Sequence, residues 1–593
     1  MSDQSYSAAR CGRRTGARTM PWLLGVMSLS SSGRLQTGRL ARKIGRLSGD
    51  YLLLGLFSVA SQIVYLCILP TTFEGDAIGY YLDALYLVGD PRGAFTYYRP
   101  PGYPLFMVLT GLTWLHDLDL AIFVQAAMGA AVPLLVFAAL RRVNRTAAFV
   151  AAALLAWSGI SYVYAKLFIT DQVYLFCVTT TLFATARFII GKPRKFAYAI
   201  LAISGGVAAL MMHGEGVYLA IFSFLMLLIA TWPMRRLALK VALAGGAALA
   251  LVMAWSVERA AILGDPTVIG SLSNISGKQL FGRIYVDSAY EIHRWRCVVA
   301  QSCASQAMSP ISSENGPATR RLFEIVRDWA IRSGYEPGAL LADFVVNPTE
   351  GDQGRRPYNR LDIAWNESLR LYGYSKYDKF LMRVAIEAIV AHPEIIYGMI
   401  ANASDWFGIS FEALVQDLRS PRDFVFPFFA NGGVDTYEVS GMNIKSFAPE
   451  NTNPYISQRI ARYEPIARAN ALLAQKYMPR ELLQAYQKAN EKPMRVLDWQ
   501  LLDVGREAHN LVRNGAGFVL FLTWPFLIFA RPRLLALYLV GCLALFVAAY
   551  TLAFGYNMRY EHVVMTIMVM VAAMSAYTLV RIVARILHAR ASR

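Results

Sequence analysis

The run DLAIFVQAAMGAAVPLLVFAALRRVNR, residues 119–145, decides the architecture. From Leu120 to Leu140 it carries no charged side chain, and it closes on Arg141, Arg142 and Arg145. At about 1.5 Å of rise per residue, such a helix matches the roughly 30 Å hydrocarbon layer of a bilayer. A basic cluster at one end marks the side that stays inside. Nine further apolar runs share this character, at 51–70, 146–165, 172–190, 196–212, 217–233, 237–257, 515–530, 534–553 and 562–580. A chain of 593 residues that is 56% hydrophobic, with its apolar residues segregated in this way, exceeds what one soluble core buries. The fold class expected is therefore an all-α polytopic membrane protein with about ten transmembrane helices.

Charge orients the spans. With the amino terminus inside, the inside connections are 141–145, 191–195, 234–236, 531–533 and the tail from Arg581, and every one is basic. The formal charge of +18 resides mostly in these clusters, so it serves topology, and nucleic acid is not an expected partner. The first fifty residues are rich in Arg and Ser and read as a cytoplasmic tail whose basic segment lies on anionic headgroups. Four regions follow from this: a tail at 1–50, a transmembrane region at 51–257 with a first external loop at 71–118, a mainly helical extracytoplasmic domain at 258–510, and carboxyl-terminal spans and tail at 511–593. Within the third region, amphipathic spacing predicts helices over 318–332, 380–391 and 456–489. The apolar stretch 394–414 is assigned to an interfacial helix, because an additional span there would place three basic clusters outside. Cys297 and Cys303 fall in this outer region, where oxidising conditions permit a local disulfide. No second ligand pair accompanies them to make a zinc site.

The charged residues that could do chemistry gather at the outer ends of the spans. The first loop reads FEGDAIGYYLDALYLVGDPRGAFTYYRPPGYP, residues 73–104. Glu74 and Asp76 come directly after the first span, where a carboxylate is partly desolvated yet reachable. Asp76 suits a general base for an attacking hydroxyl, and equally an acidic start to a helix over 77–87. Arg99 precedes Pro100 and Pro101, which hold its backbone extended, so its guanidinium is presented stiffly at headgroup level. It suits a phosphate, or ordinary snorkelling. Lys166 and Asp171 flank the next outer turn, where pairing with each other competes with a substrate role. His213 and Glu215 occupy the following outer turn, and Arg559 with Tyr560 opens the last span.

Taken together, Asp76, Tyr80, Ala84 and Gly89 followed by Arg99-Pro100-Pro101-Gly102-Tyr103-Pro104 resemble the first external loop of GT-C-fold glycosyltransferases. These include the lipid A aminoarabinose transferase, protein O-mannosyltransferases and rhizobial galacturonosyltransferases. Thr170-Asp171, Glu215-Gly216, Ala391-His392-Pro393 and Arg559-Tyr560 are similar to further elements of that family, whereas residues 258–510 match it hardly at all. The resemblance implies an inverting transferase in a bacterial cytoplasmic membrane, facing the exterior. Its donor would be a polyprenyl-phosphate monosaccharide and its acceptor a hydroxyl on a lipid, glycan or protein. Asp76 would be the catalytic base, and Arg99, Lys166 and Arg559 would hold the donor phosphate. Glu74, Tyr80, Tyr98, Tyr103, Asp171, His213, Glu215 and Tyr560 would shape the pocket. The family's usual Asp-Glu pair is Asp76-Ala77 here, so a second acid must come from Glu74 or elsewhere. In the aminoarabinose transferase a metal-binding acid precedes the Pro-Pro lysine, where this chain has Tyr98. No metal ligand is assigned, with a divalent cation left open as a cofactor. Rival readings are an oligosaccharide ligase or polymerase, a flippase for a lipid-linked sugar, and an inactive scaffold.

Overall fold

The computed structural model describes residues 49–592 apart from 70, 72, 74, 96–98, 160–161, 192–194, 267–268, 270–275, 288–308, 347–359, 408–471, 473–474, 491–495 and 555–557. The chain divides into a unit at Met1–Leu53, of which only the start of the first helix is described, and a unit at Leu54–Arg593. Glu74, Tyr98, Cys297 and Cys303 lie outside the described residues, as do the side chains of Arg559 and Tyr560.

The ten apolar runs hold α1 (Gly49–Ile68), α4 (Leu118–Leu140), α5 (Arg145–Trp157), α6 (Asp171–Ile190), α7 (Lys195–Met212), α8 (Gly216–Thr231), α9 (Arg235–Leu263), α16 (Val496–Thr523), α17 (Arg533–Phe554) and α18 (Met558–Ala591). Two short helices, α2 (Gly75–Leu87) and α3 (Gly102–Leu109), stand between α1 and α4. The insertion between α9 and α16 contributes α10 (Ser276–Gly282), α11 (Pro317–Arg332), α12 (Pro337–Val346), α13 (Arg360–Ala391), α14 (Ile395–Asp405) and α15 (Arg480–Ala489). Among the described residues, seven helices are long and apolar enough to cross a membrane, or up to eight if the bent pair 376–391 and 395–405 counts as one. Stretches 145–157, 196–212 and 216–231 are shorter apolar helices. Each of the ten expected runs therefore contains a helix, but three fall short of a full crossing by length.

Local chemistry sets the helix starts. Asp117 accepts from the backbone N–H groups of Asp119 and Leu120 at 2.9 and 3.3 Å, and Asn144 accepts from Ala147 at 2.7 Å, which caps α4 and α5. The predicted span at 146–165 differs from the structure in an instructive way. Helix α5 stops at Trp157, Gly159 turns left-handed at φ 68°, and the chain resumes as a 3₁₀ turn at Val163–Lys166. A Cβ on Gly159 would stand 2.0 Å from the Tyr65 hydroxyl, so glycine lets the chain pass against α1.

Helix α6 is the hub of the bundle and packs against α4, α7 and α8. Gly205 and Gly206 on α7 allow that approach: a Cβ on the first would lie 2.7 Å from Thr181 Oγ1, and one on the second 3.3 Å from Ala220 Cβ. The insertion has an apolar core of its own, including Phe281, Ile284, Leu322, Leu381 and Val384. The stretch assigned to an interfacial helix contains α14, bent by 104° from the helix before it. Its end is anchored in the bundle, where buried Trp406 donates from Nε1 to Thr551 Oγ1 at 3.1 Å on α17.

Candidate functional site

The site starts at the junction of α1 and α2. Thr71 is fixed from the insertion: its N–H donates to Asn490 Oδ1 at 2.9 Å, and Asn490 Nδ2 donates back to the Thr71 carbonyl at 2.9 Å. Phe73 stacks on Phe168 at 4.4 Å and meets the edge of Tyr486 at 5.7 Å. The chain then enters α2 with Asp76 in its first turn. The Asp76 carboxylate is half exposed, at 48% of its side-chain surface, whereas Arg99 is 7% exposed.

Arg99 is held from three sides. Its Nη2 lies 3.1 Å from Asp76 Oδ1, and its Nη1 donates to the Asp76 carbonyl. The guanidinium carbon sits 4.4 Å over the Tyr80 ring. Gly79 makes the space, because a Cβ there would stand 2.5 Å from Arg99 Cζ. Tyr80 meets Tyr103 edge-on at 5.3 Å, and the Tyr103 hydroxyl donates to Gln125 Oε1 at 2.7 Å. Gln125 passes the order on, donating from Nε2 to the carbonyls of Ala165 and Leu167 at 2.9 and 3.2 Å. These buried bonds fix the turn at 163–170 against α4, and each orphaned group would cost about 1–3 kcal/mol.

Asp171 is buried at the start of α6, and its charge acts on Tyr103. One turn on, Tyr174 lies 5.3 Å from the His213 ring, and His213 Nδ1 contacts the Glu215 carboxylate. The same corner receives α3, since a Cβ on Gly102 would lie 2.5 Å from the Met211 carbonyl. Asp76, Arg99, Tyr80, Tyr103, Asp171, His213 and Glu215 are thereby linked around one end of the bundle. Lys166 stands apart from them. Its Nζ donates to the Leu69 carbonyl at 2.8 Å, and burial pushes its pKa down.

Several participants escape sequence reasoning. Gln125 had a signal, as the amide in an otherwise apolar run. A buried cluster joins α16 to α18, with Glu561 Oε1 3.1 Å from His509 Nε2 and 3.4 Å from Arg513 Nη1, while the His562 ring lies tilted against Tyr164 at 5.1 Å. Such a cluster inside an apolar bundle is costly and ties the last span to the same outer turn. From the insertion, Lys278 on α10 comes within electrostatic reach of Arg99 and Asp76. Nothing in the sequence pattern announces this. Among the described residues, no group of three or more His, Cys, Asp or Glu is placed to hold a metal ion.

An apolar groove opens beside the site. With a volume of about 660 Å³, it begins at Gly102, three residues beyond Arg99, and runs between α3, α7 and α9 past Leu105, Ser204, Met211 and Ala247. A second groove of about 460 Å³ adjoins it across Ile203, Val207 and Ala248. The charged residues thus stand near an apolar groove whose lining begins three residues beyond Arg99. Residues 99–257 match the family model described as dolichyl-phosphate-mannose-protein mannosyltransferase. The matched stretch runs from Arg99 into α9 and leaves Asp76 outside it. No curated protein matches the chain. Among solved structures it is similar to the apo oligosaccharyltransferase of Archaeoglobus fulgidus, at 13% identity and a TM-score of 0.31, covering 75% of this chain and 56% of that one. It is also similar to ArnT from Cupriavidus metallidurans bound to undecaprenyl phosphate, at 12% identity and a TM-score of 0.30, covering 80% of each chain. The chain therefore spans little more than half of the first of these structures, at 56% of its length.

Proposed function

We propose that the protein is a membrane glycosyltransferase that moves a monosaccharide from a polyprenyl-phosphate donor to an acceptor hydroxyl, with inversion, at the outer face of a bacterial cytoplasmic membrane. The observation that carries this reading is the Asp76–Arg99 pair at the head of the groove that begins at Gly102. The prenyl tail lies in the groove and brings the phosphate to Arg99, whose planar donors suit two phosphate oxygens. Phosphate competes for the guanidinium and loosens its hold on Asp76. The carboxylate then accepts the proton of the acceptor hydroxyl as its oxygen bonds to the anomeric carbon. The bond from that carbon to the phosphate oxygen breaks on the opposite face, its electron pair stays with the phosphate, and the growing charge falls on Arg99. The half-exposed Asp76 is open to an acceptor from the insertion side, and Asp171, His213 and Glu215 shape the far wall.

The test compares lipid extracts from cells lacking the protein with cells carrying the wild type or Asp76→Asn at equal membrane abundance. Mass spectrometry should find one polyprenyl-phosphate sugar accumulating in both the null and Asp76→Asn cells, since loss of a general base costs about 10²- to 10⁴-fold. Wild-type carrier pools in Asp76→Asn cells would sink the assignment of the base.

A further inference from the structure

Between Leu120 and Val257 the chain carries two carboxylates, Asp171 and Glu215, and both belong to the site already described. The same stretch holds a buried cation at the far end of α6. Arg187 lies in the last turn of that helix and is 6% exposed. At about 1.5 Å of rise per residue, Asp171 stands roughly 24 Å away along the helix. The Nε and Nη1 atoms of Arg187 are buried without a hydrogen-bond partner among the described residues, and its Cζ lies 5.8 Å from the centroid of the Tyr198 ring. An aromatic face and the carboxyl end of a helix dipole favour a cation, but neither accepts its in-plane N–H groups. A buried guanidinium in this state calls for an anion.

The chain supplies no carboxylate for it. The connections 141–145, 191–195, 234–236, 531–533 and 581–593 contain neither Asp nor Glu. What this corner adds is a second cation. The Gly191 N–H donates to the Arg187 carbonyl at 2.8 Å and closes α6, and a Cβ on Gly191 would lie 3.6 Å from Arg142 Nη1. The exposed Arg142 thus reaches from just past the end of α4 to the turn that follows Arg187. By the positive-inside pattern of the sequence this end of α6 is expected inside, at the depth where anionic headgroups supply phosphate. The helix also offers an acyl chain a path. Positions 176, 180, 183 and 187 fall on one face, where Phe176, Thr180 and Phe183 are half-buried and Phe176 lines the apolar groove.

We propose that Arg187 and Arg142 form a phosphate site for an anionic phospholipid of the inner leaflet, whose acyl chain lies along the face of α6 that carries Phe183 and Phe176. The site is separate from the Asp76–Arg99 pair and independent of the reaction assigned there. Two guanidinium groups present planar donors to the two free oxygens of a phosphodiester. The bound lipid neutralises a buried charge on the helix that packs against α4, α7 and α8, and so steadies the bundle from the end opposite Asp171.

The experiment follows thermal unfolding of the full-length protein, stripped of lipid in neutral detergent, as dioleoyl phosphatidylglycerol is added. Dioleoylglycerol and inorganic phosphate are the comparison ligands. The wild type should melt higher with phosphatidylglycerol and be unmoved by dioleoylglycerol. Without lipid, Arg187→Met should melt no lower than the wild type, because it removes a buried charge that has no partner. Its affinity for phosphatidylglycerol should be weaker by about tenfold or more. Arg142→Gln changes an exposed side chain, should fold as the wild type does, and should weaken the same affinity about threefold or more. Arg585→Gln, at an exposed position of α18, is the charge-matched control and should leave the affinity unchanged. Equal affinity in Arg187→Met and the wild type would overturn the proposal. If Arg187→Met does not fold, wild-type affinity in Arg142→Gln would overturn it instead. A loss in Arg585→Gln as large as that in Arg142→Gln would also refute the site, as diffuse attraction to a basic surface. Inorganic phosphate raising the melt as far as phosphatidylglycerol would replace the lipid by a free anion and overturn the lipid site. None of these outcomes bears on Asp76.

Discussion

Gly79 shows how little separates a site from a helix surface. It stands one turn after Asp76 on α2, and the missing methyl is the space in which Arg99 lies over Tyr80. Gly79→Ala should favour α2 as a helix by roughly 0.5–1 kcal/mol, yet it must displace the guanidinium, which is the movable end of a long side chain. The expected result is an unchanged or slightly raised unfolding midpoint with transfer reduced about tenfold or more, read by a detergent melt beside a carrier-turnover assay. Lys278 makes a prediction in pH. Its folded pKa lies below the ordinary 10.5, so its charge is present at lower pH and is lost as pH rises through that depressed value. Between the two values the unfolded chain binds the extra proton, so this group's contribution to stability improves as pH rises, a slope that Lys278→Met should remove from alkaline unfolding midpoints. Asp76 and Arg99 were legible as candidates because a charge beside a bilayer must be paired or used. Gly79 was not, because it acts by lacking atoms.

At the scale of elements, α15 acts as a clamp on the entry to the site. Asn490, buried at its carboxyl end, exchanges two hydrogen bonds with Thr71 and donates a third to the Tyr486 carbonyl at 3.0 Å. Asn490→Leu would leave two backbone groups of a buried residue unsatisfied, at about 1–3 kcal/mol each. We expect faster amide exchange over residues 69–76 and a lower turnover number, with farnesyl phosphate affinity close to wild type because Arg99 is held by other contacts. Affinity and turnover falling together would mean that α15 supports the whole bundle and not the approach to Asp76. The helices themselves were readable, since long uncharged runs ending in basic clusters leave a chain little choice in a bilayer. The break in α5 was not readable, because 158–165 continues apolar, and only the crowding of Gly159 by Tyr65 shows why the helix stops. Within the stretch expected as an interfacial helix, Trp406 at the end of α14 donates to Thr551 of α17, a partner that apolar composition does not announce.

For the molecule as a whole, the site and the groove divide the work. On the proposed reading the polar end sets which headgroup reacts, and the groove between α3, α7 and α9 is lined by exposed apolar side chains such as Leu105 and Leu251. An open groove suits a tail that slides in from the bilayer, which needs no deep cavity to desolvate it because lipid already does so. Binding energy collected along the tail can then be spent at the phosphate. The groove should therefore discriminate by tail length, which the charged end cannot sense. Ala247 lies on its wall, on the exposed face of α9 and far along the chain from Arg99, so Ala247→Trp fills the channel without touching a charged group. With a long polyprenyl-phosphate donor, KM should rise about tenfold or more, since a filled groove forfeits several methylenes at about 0.8 kcal/mol each. With a short-chain donor whose tail ends before Ala247, both KM and kcat should match the wild type. An equal loss with both donors would show that the tail takes another route, through the neighbouring groove behind Ile203 and Val207 or along the outside of α3. The length at which the two curves separate would then measure how far along α9 the tail travels.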